Sequence, residues 1–226
     1  MNVIALASRK GGAGKSTLTA HLAAFAQGQA HRCLLVDADP QGSLALWHSR
    51  RADGRPTLET ATRGIERALA EAMVDGYGWV FIDTSPTMWV VVQEAIRAAT
   101  LVLIPARPGF FDLTAVRETV AVARKHSKPY AVVINAAPVK RDERESPAVG
   151  LARAELDRLA IPVWSGQISQ RAAYLVSLAA GASAGELAPD SPAGSEIARL
   201  WSAVERSVAA IHGAHAATRP MHDQAA

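Results

Sequence analysis

The sequence predicts an α/β fold with a doubly wound, mostly parallel sheet covered by helices on both faces, and three observations carry that reading. Short apolar runs without polar alternation recur along the chain, as strands buried on both faces require. Longer stretches with helical spacing separate them, the alternation that builds parallel sheets. The first run opens into a glycine-rich turn and two later runs end in a carboxylate. Polar chemistry is thereby placed at the carboxyl ends of the strands, where such sheets bind ligands.

Asn2 to Ala7 reads as the first strand, followed by a helix from about Lys15 to Gln27. Cys33-Leu34-Leu35-Val36-Asp37 is a second strand, because it is apolar throughout and stops on a carboxylate. Gly64 to Val74 carries Ile65, Ala68, Leu69, Ala72 and Met73 on one helical face. Trp79-Val80-Phe81-Ile82-Asp83 repeats the strand-then-Asp pattern. Leu101 to Pro105 is another strand, Leu113 to Lys125 a helix, and Ala131 to Asn135 a further strand. A helix near Gly150 to Ala160 leads to a short strand at Pro162-Val163-Trp164, and two helices close the chain. The last runs from Pro192 to His212, with Ser191 as N-cap and Pro192 at the first helical position. The charged run from Lys140 to Glu145 reads as a solvated loop or helix start. One domain over 1–213 and a flexible tail over 214–226 are expected.

Composition narrows the function. The 226 residues are 49% hydrophobic and 20% charged, which supports a packed core and rules out general disorder. A single cysteine, Cys33, excludes an internal disulfide framework and a cluster or zinc site built from several cysteines of one chain. His21, His48 and His126 show no metal-ligand spacing. The N-terminal run lacks a basic n-region and ends at Arg9-Lys10, and no stretch approaches the roughly 18 apolar residues of a spanning helix. A cytoplasmic protein without membrane contact is expected. The net charge of +3 is too small to argue for a nucleic-acid partner by itself.

The most informative segment is Ser8-Arg9-Lys10-Gly11-Gly12-Ala13-Gly14-Lys15-Ser16-Thr17, between the first strand and the first helix. Glycines let backbone N–H groups wrap a phosphate, and the helix N-terminus behind them favours negative charge. Lys15 reaches β- and γ-phosphates, and Ser16 offers a hydroxyl to Mg²⁺. A strict phosphate loop has glycine where this chain has Arg9, and no required base where it has Lys10. Lys-Gly-Gly-x-Gly-Lys-Ser resembles instead the deviant Walker A loop of the ParA/MinD family of ATPases. Asp37-Ala38-Asp39-Pro40-Gln41-Gly42 resembles that family's second signature, and Phe81 to Pro86 its Walker B and switch segment. Leu103 to Pro108 with Asp112-Leu113, Val133-Ile134-Asn135, and Arg171 to Gly181 with Pro189-Asp190-Ser191 give weaker support. The matching segments run from residue 2 to about 212.

The resemblance implies a P-loop NTPase-like domain that binds ATP and Mg²⁺ and hydrolyses ATP slowly. Gly11, Gly12, Ala13, Gly14, Lys15, Ser16 and Thr17 would form the cradle, with Thr17 on the α-phosphate. Asp37 and Asp83 would hold the metal with Ser16, and Asp39 would orient the attacking water, although carboxylates at strand ends also cap helices. Asn135 would contact adenine, although an Asn after a strand is also a common turn residue. In the resembled family the lysine at Lys10 reaches across a two-fold interface to the partner's nucleotide, so a homodimer in the ATP state is implied. Lys10, Lys15 and Asp39 are thus the expected catalytic residues. The resemblance further implies non-specific DNA binding, with Arg171 as first candidate and Arg199 and Arg206 as neighbours, each equally readable as a solvated charge. It also implies placement of a cargo (plasmid, chromosome or protein assembly) and a ParB-like or cargo adaptor that stimulates hydrolysis. The sequence leaves no room for a helix-turn-helix domain ahead of the loop, which points to the short ParA type. The alternatives are a carboxylate-activating ligase on the same scaffold, and a MinD-like spatial regulator. The latter needs a basic amphipathic C-terminal helix, which a tail with Pro220 and one Arg does not supply.

Overall fold

The computed structural model describes residues 1–217. Its sheet has six strands, all parallel: β1 (Asn2–Leu6), β2 (Cys33–Ala38), β3 (Thr57–Thr60), β4 (Trp79–Thr84), β5 (Leu101–Ala106) and β6 (Tyr130–Ile134), in spatial order β3-β2-β4-β1-β5-β6. The order reverses direction at β1, so the turn that follows β1 opens into the crevice where a doubly wound sheet binds its ligand. Alternate residues of β1 serve two cores. Val3 and Ala5, with Ala7 just beyond the strand, face one, and Ile4 and Leu6 face the other.

Helices α3 (Ile65–Val74), α4 (Trp89–Ala98), α5 (Phe110–Lys125) and α6 (Pro147–Arg158) cover the first face. Helices α1 (Lys15–Gly28), α7 (Ala172–Ala179) and α9 (Pro192–Ala217) cover the second, with the short α2 (Ser43–His48) and α8 (Ala184–Leu187). The stripe of Ile197, Leu200, Trp201, Val204 and Val208 on α9 is buried, so this helix spends its apolar face on the core. Trp201 stacks edge-on against Trp79 with ring centroids 4.6 Å apart. No helix among the described residues is long and apolar enough to cross a membrane.

The expected elements are present; the helices α2 and α4 are additional to them, and four other differences stand out. The strand β3 carries no apolar run, because it is an edge strand of four partly exposed residues that pairs on one side only. The short strand expected at Pro162–Trp164 is reduced to a bridge between Val163 and Val132. Pro162 has no N–H to give to a ladder, and Trp164 N–H donates to the Val132 carbonyl at 2.9 Å. The chain nevertheless follows β6, since Ile168 N–H donates to Ile134 and Ala137 N–H to Ile168. Third, α7, α8 and α9, rather than two helices, close the described chain; α8 is a single turn held by a capping box between Ser183 and Glu186. Fourth, α9 continues through Gly213 to Ala217. The remainder of the expected tail, 218–226, lies outside the described residues. At the other end of α9 the expected start is found, with Gly194 N–H donating to Ser191 Oγ at 3.1 Å.

Candidate functional site

The loop after β1 is shaped by two glycines in left-handed backbone. Gly12 has φ +71° and Gly14 φ +93°, a region that L side chains rarely enter. Space also demands glycine at 14, because a Cβ there would collide with the Asn135 side-chain amide. Asn135, buried after β6, donates its amide to the Ala13 carbonyl at 2.7 Å, and so pins the loop from beneath. Gly11 is different. A Cβ on it would meet nothing within 4 Å, and its backbone has no positive φ.

Parallel pairing sets the acidic residues behind the loop. Asp37 of β2 stands opposite Asp83 of β4, and Asp83 opposite Leu6 of β1, so the repeated strand-then-Asp pattern becomes two adjacent carboxylates. Asp37 accepts from Asp39 N–H and Ala45 N–H, both at 3.1 Å. Its pKa is nevertheless raised, because burial outweighs those bonds. Asp83 is fully buried, and neither of its oxygens has a hydrogen-bond partner of good geometry. Burial pushes its pKa up to about 7; the nearby Ser16 hydroxyl and Lys15 pull the other way, and Asp37 and Asp39 add like-charge repulsion. Lys15 is itself buried, and its pKa is lowered by that burial despite Asp83 and Asp39. An orphaned carboxylate costs several kcal/mol as an ion. The arrangement therefore waits for a cation.

The half-buried Asp39 turns its carboxylate to the Gln41 N–H at 3.0 Å and lines the cavity beside the loop. That cavity has a volume of about 700 Å³. It brings together Gly12, Gly14, Lys15, Ser16, Thr17, Asp39, Asn135 and Arg171 of the expected residues. Lys10, half-exposed and without an ion pair among the described residues, lies outside that lining with Gly11 and Ala13. Arg199 and Arg206 do not reach the cavity. They line a separate groove of about 1050 Å³ with Lys140 and Trp164. Arg171 borders both spaces, but it is no free cation: its guanidinium is bound to Glu196 at 2.9 and 3.1 Å. The expected phosphate contact at Arg171 thus falls on a guanidinium that Glu196 already pairs inside the chain.

Several functional neighbours were not legible in the sequence. Arg107, just after β5, lies over the loop, with its guanidinium 3.5 Å from where a Gly12 Cβ would stand. Arg9 points away from the cavity, pairs with Glu118 at 2.9 Å and packs 4.8 Å over the Trp89 ring. That contact ties the loop to the start of α4. His21, one turn beyond Thr17, has its Nδ1 2.8 Å from the Thr17 carbonyl and its Nε2 3.2 Å from Ser177 Oγ of α7. The carbonyl can only accept, so Nδ1 carries the proton, while the single Ser177 hydroxyl hydrogen faces both Nε2 and the Tyr174 carbonyl, 3.1 Å away. No sequence signal marks these three, because each depends on a partner far away along the chain.

A parallel α/β sheet with a glycine-rich loop at its switch point, a buried lysine, and paired carboxylates behind it defines a nucleotide-binding P-loop domain. The chain belongs to the CobQ/CobB/MinD/ParA nucleotide-binding domain family, whose pattern matches residues 4–182. Among characterised relatives it is similar to the maintenance of carboxysome distribution protein A of Gloeobacter kilaueensis, 37% identical over 52% of this chain and 55% of that protein. The protein of the same name from Halothiobacillus neapolitanus is 28% identical over 81% and 87%. The chromosome-partitioning ATPase Soj of Thermus thermophilus is 32% identical over 50% and 57%. The match thus spans little more than half the length of the first and the last of these. Among solved structures, the apo McdA of Cyanothece superposes with a TM-score of 0.73 at 17% identity, over 90% of this chain and 99% of that one, which shows the shared fold.

Proposed function

We propose that the protein is a ParA-like ATPase that dimerises around ATP, binds DNA without sequence preference and positions a cargo, with slow hydrolysis resetting the switch. The names of the relatives, carboxysome distribution and chromosome partitioning, support the cargo-positioning part of this reading.

The observation that carries the dimer is the pair Lys10 and Gly11. Nothing among the described residues requires glycine at 11, and none of them forms an ion pair with the Lys10 ammonium. A lysine left unpaired beside an open, side-chain-free stretch fits an interface in which a second copy lies against the loop. Lys10 then reaches the phosphates held by its partner. The two loops approach without side-chain collision, and loss of the γ-phosphate weakens the contact.

Within one subunit, loop N–H groups and Lys15 hold the β- and γ-phosphates, and Thr17 holds the α-phosphate. The orphaned oxygens of Asp83, with Asp37 and the Ser16 hydroxyl, fit a hard cation. Among the described residues no cluster of three or more His, Cys, Asp or Glu forms a metal cage. Mg²⁺ needs none, because it keeps several waters and takes the rest of its oxygens from one or two protein groups and the phosphates. When bound, it neutralises phosphate charge. Asp39, at the cavity wall, orients the attacking water. Asn135, with its nitrogen committed to the loop, keeps Oδ1 as the acceptor for the adenine amine. Arg199 and Arg206, without ion pairs among the described residues, are the groove's candidates for DNA phosphates.

The test is solution mass by light scattering with a non-hydrolysable ATP mimic and Mg²⁺. The wild type should double its mass and Lys10→Ala should remain a single chain with nucleotide still bound. A Lys10→Ala variant that dimerises as the wild type does would overturn the role of Lys10, and a wild type that stays single would overturn the switch.

A further inference from the structure

The sheet reverses its order at β1, so the crevice at the strand ends has two lips. On the side of β4 and β2 stand Asp83 and Asp37, with Asp39 just beyond β2. On the other side β5 ends at Ala106, and the next residue is Arg107. The backbone of this second lip is fixed. Arg107 N–H donates to Asp112 Oδ1 at 3.3 Å, and the Arg107 carbonyl accepts from Gly109 N–H at 2.7 Å. The Ala106 carbonyl accepts from Asn135 N–H at 2.8 Å, which ties the lip to the residue that pins the loop. The exposed Arg107 side chain runs back over the loop. Its Nη2 lies 3.5 Å and its Cζ 4.0 Å from where a Gly12 Cβ would stand, and it lines the same cavity as Lys15 and Asp39.

The arginines of this chain differ in what they already hold. Arg171 is bound to Glu196. Arg153 commits its guanidinium to Glu145 and to the carbonyls of Trp164, Ser165 and Gly166, and Arg51 commits its own to Glu186 and the Gly181 carbonyl. Arg107 forms neither an ion pair nor a side-chain hydrogen bond among the described residues. All five N–H donors of a planar fork are thus left open at the rim of a cavity. Arg50, which also lines the cavity, follows α2 rather than a strand end.

We propose that Arg107 is a nucleotide-contacting residue whose guanidinium closes on the phosphates in its own subunit's cavity, from the lip opposite the aspartates; this role rests on the ATP binding proposed above. The planar fork matches phosphate oxygens and makes charge-assisted hydrogen bonds to them. Phosphoryl chemistry asks for charge neutralisation around the phosphates, and the aspartates can hold a metal on one side only. Arg107 supplies positive charge on the other. The side chain can move onto a ligand without breaking any bond that it makes among the described residues.

The test is calorimetry on the full chain with Mg-ADP, and with a non-hydrolysable ATP mimic and Mg²⁺, at low and high salt. Wild type, Arg107→Met and Arg107→Lys are compared, with solution mass followed in the same samples by light scattering. Arg107→Met should bind both nucleotides about tenfold more weakly at low salt, and the loss should shrink at high salt. Arg107→Lys keeps the charge without the fork, so its affinities should fall between those of the other two. Without nucleotide, Arg107→Met should melt with the wild type, because an exposed and unpaired side chain is removed. An equal loss in both variants that ignores salt would mark a steric role and overturn the assignment. Unchanged Mg-ADP affinity with loss of the ATP-dependent doubling of mass would put the guanidinium on the partner's nucleotide, which refutes a contact in its own cavity. Unchanged affinities and mass would remove the contact altogether. Each of these leaves ATP binding standing, whereas a wild type that binds neither nucleotide would overturn that reading and Arg107's role with it.

Discussion

His21 links the phosphate-binding end of α1 to α7, and its chemistry makes the strength of that link dependent on pH. The ring is fully buried and stacks edge-on against Tyr174 at 5.1 Å, with Nε2 3.2 Å from Ser177 Oγ. Burial lowers its pKa from 6.5 to about 4, against the opposing pull of the Thr17 carbonyl. Because the folded pKa is depressed, the unfolded chain binds more protons between these values. The stabilisation is therefore complete above pH 6.5 and is lost as pH falls toward 4. Integrating proton uptake with these two values gives a loss of about 2 kcal/mol between pH 7 and pH 5. For a domain of 226 residues that is about 4–8 °C in melting temperature. Asp83 acts with the opposite sign. Its pKa is raised from 3.8 to about 7, so its ionisation destabilises the nucleotide-free protein as pH rises through that window. The wild-type profile alone therefore mixes two opposing slopes. Comparison with His21→Gln cancels Asp83, which both proteins share. Melting followed by circular dichroism at pH 5, 6 and 7 should show the wild type losing about 4–8 °C more than His21→Gln on acidification. Parallel profiles for the two proteins would refute the assignment of a neutral, buried His21.

Further outcomes follow from the site. Asp83→Asn should raise the melting temperature of the nucleotide-free protein at pH 8, because it removes an unpaired buried charge, and the gain should shrink toward pH 5 as wild-type Asp83 takes up a proton. The same variant should lose the Mg²⁺-dependent part of its ATP affinity in calorimetry. Gly11→Ala and Gly14→Ala should separate fold from assembly. Gly14→Ala should cost about 2 kcal/mol or more in urea denaturation, through positive φ and collision with Asn135. Gly11→Ala should melt with the wild type yet fail to dimerise with an ATP mimic in light scattering.

What the sequence determined by itself was whatever local chemistry enforces. Cys33 to Ala38 and Trp79 to Thr84 announced themselves as strands because a parallel strand buried on both faces must be apolar throughout, up to the aspartate that ends it. The loop from Gly11 to Lys15 was legible because a backbone with positive φ and inward N–H groups needs glycine whatever surrounds it. Lys15, Ser16, Asp37 and Asp83 followed from their places at the ends of those elements. Tertiary structure alone decided which side chains meet across long sequence distances. Thr57 to Thr60 became a strand only because β2 offered a free edge. Asn135 found the Ala13 carbonyl 122 residues away, and His21 found Ser177 across 156. Arg171 was read as a cation open to solvent, and the fold delivered Glu196 to it from α9. An ionised side chain carries the same charge in any sequence context, but whether that charge is free depends on which opposite charge the packed chain brings within 4 Å, and no local pattern encodes that distance.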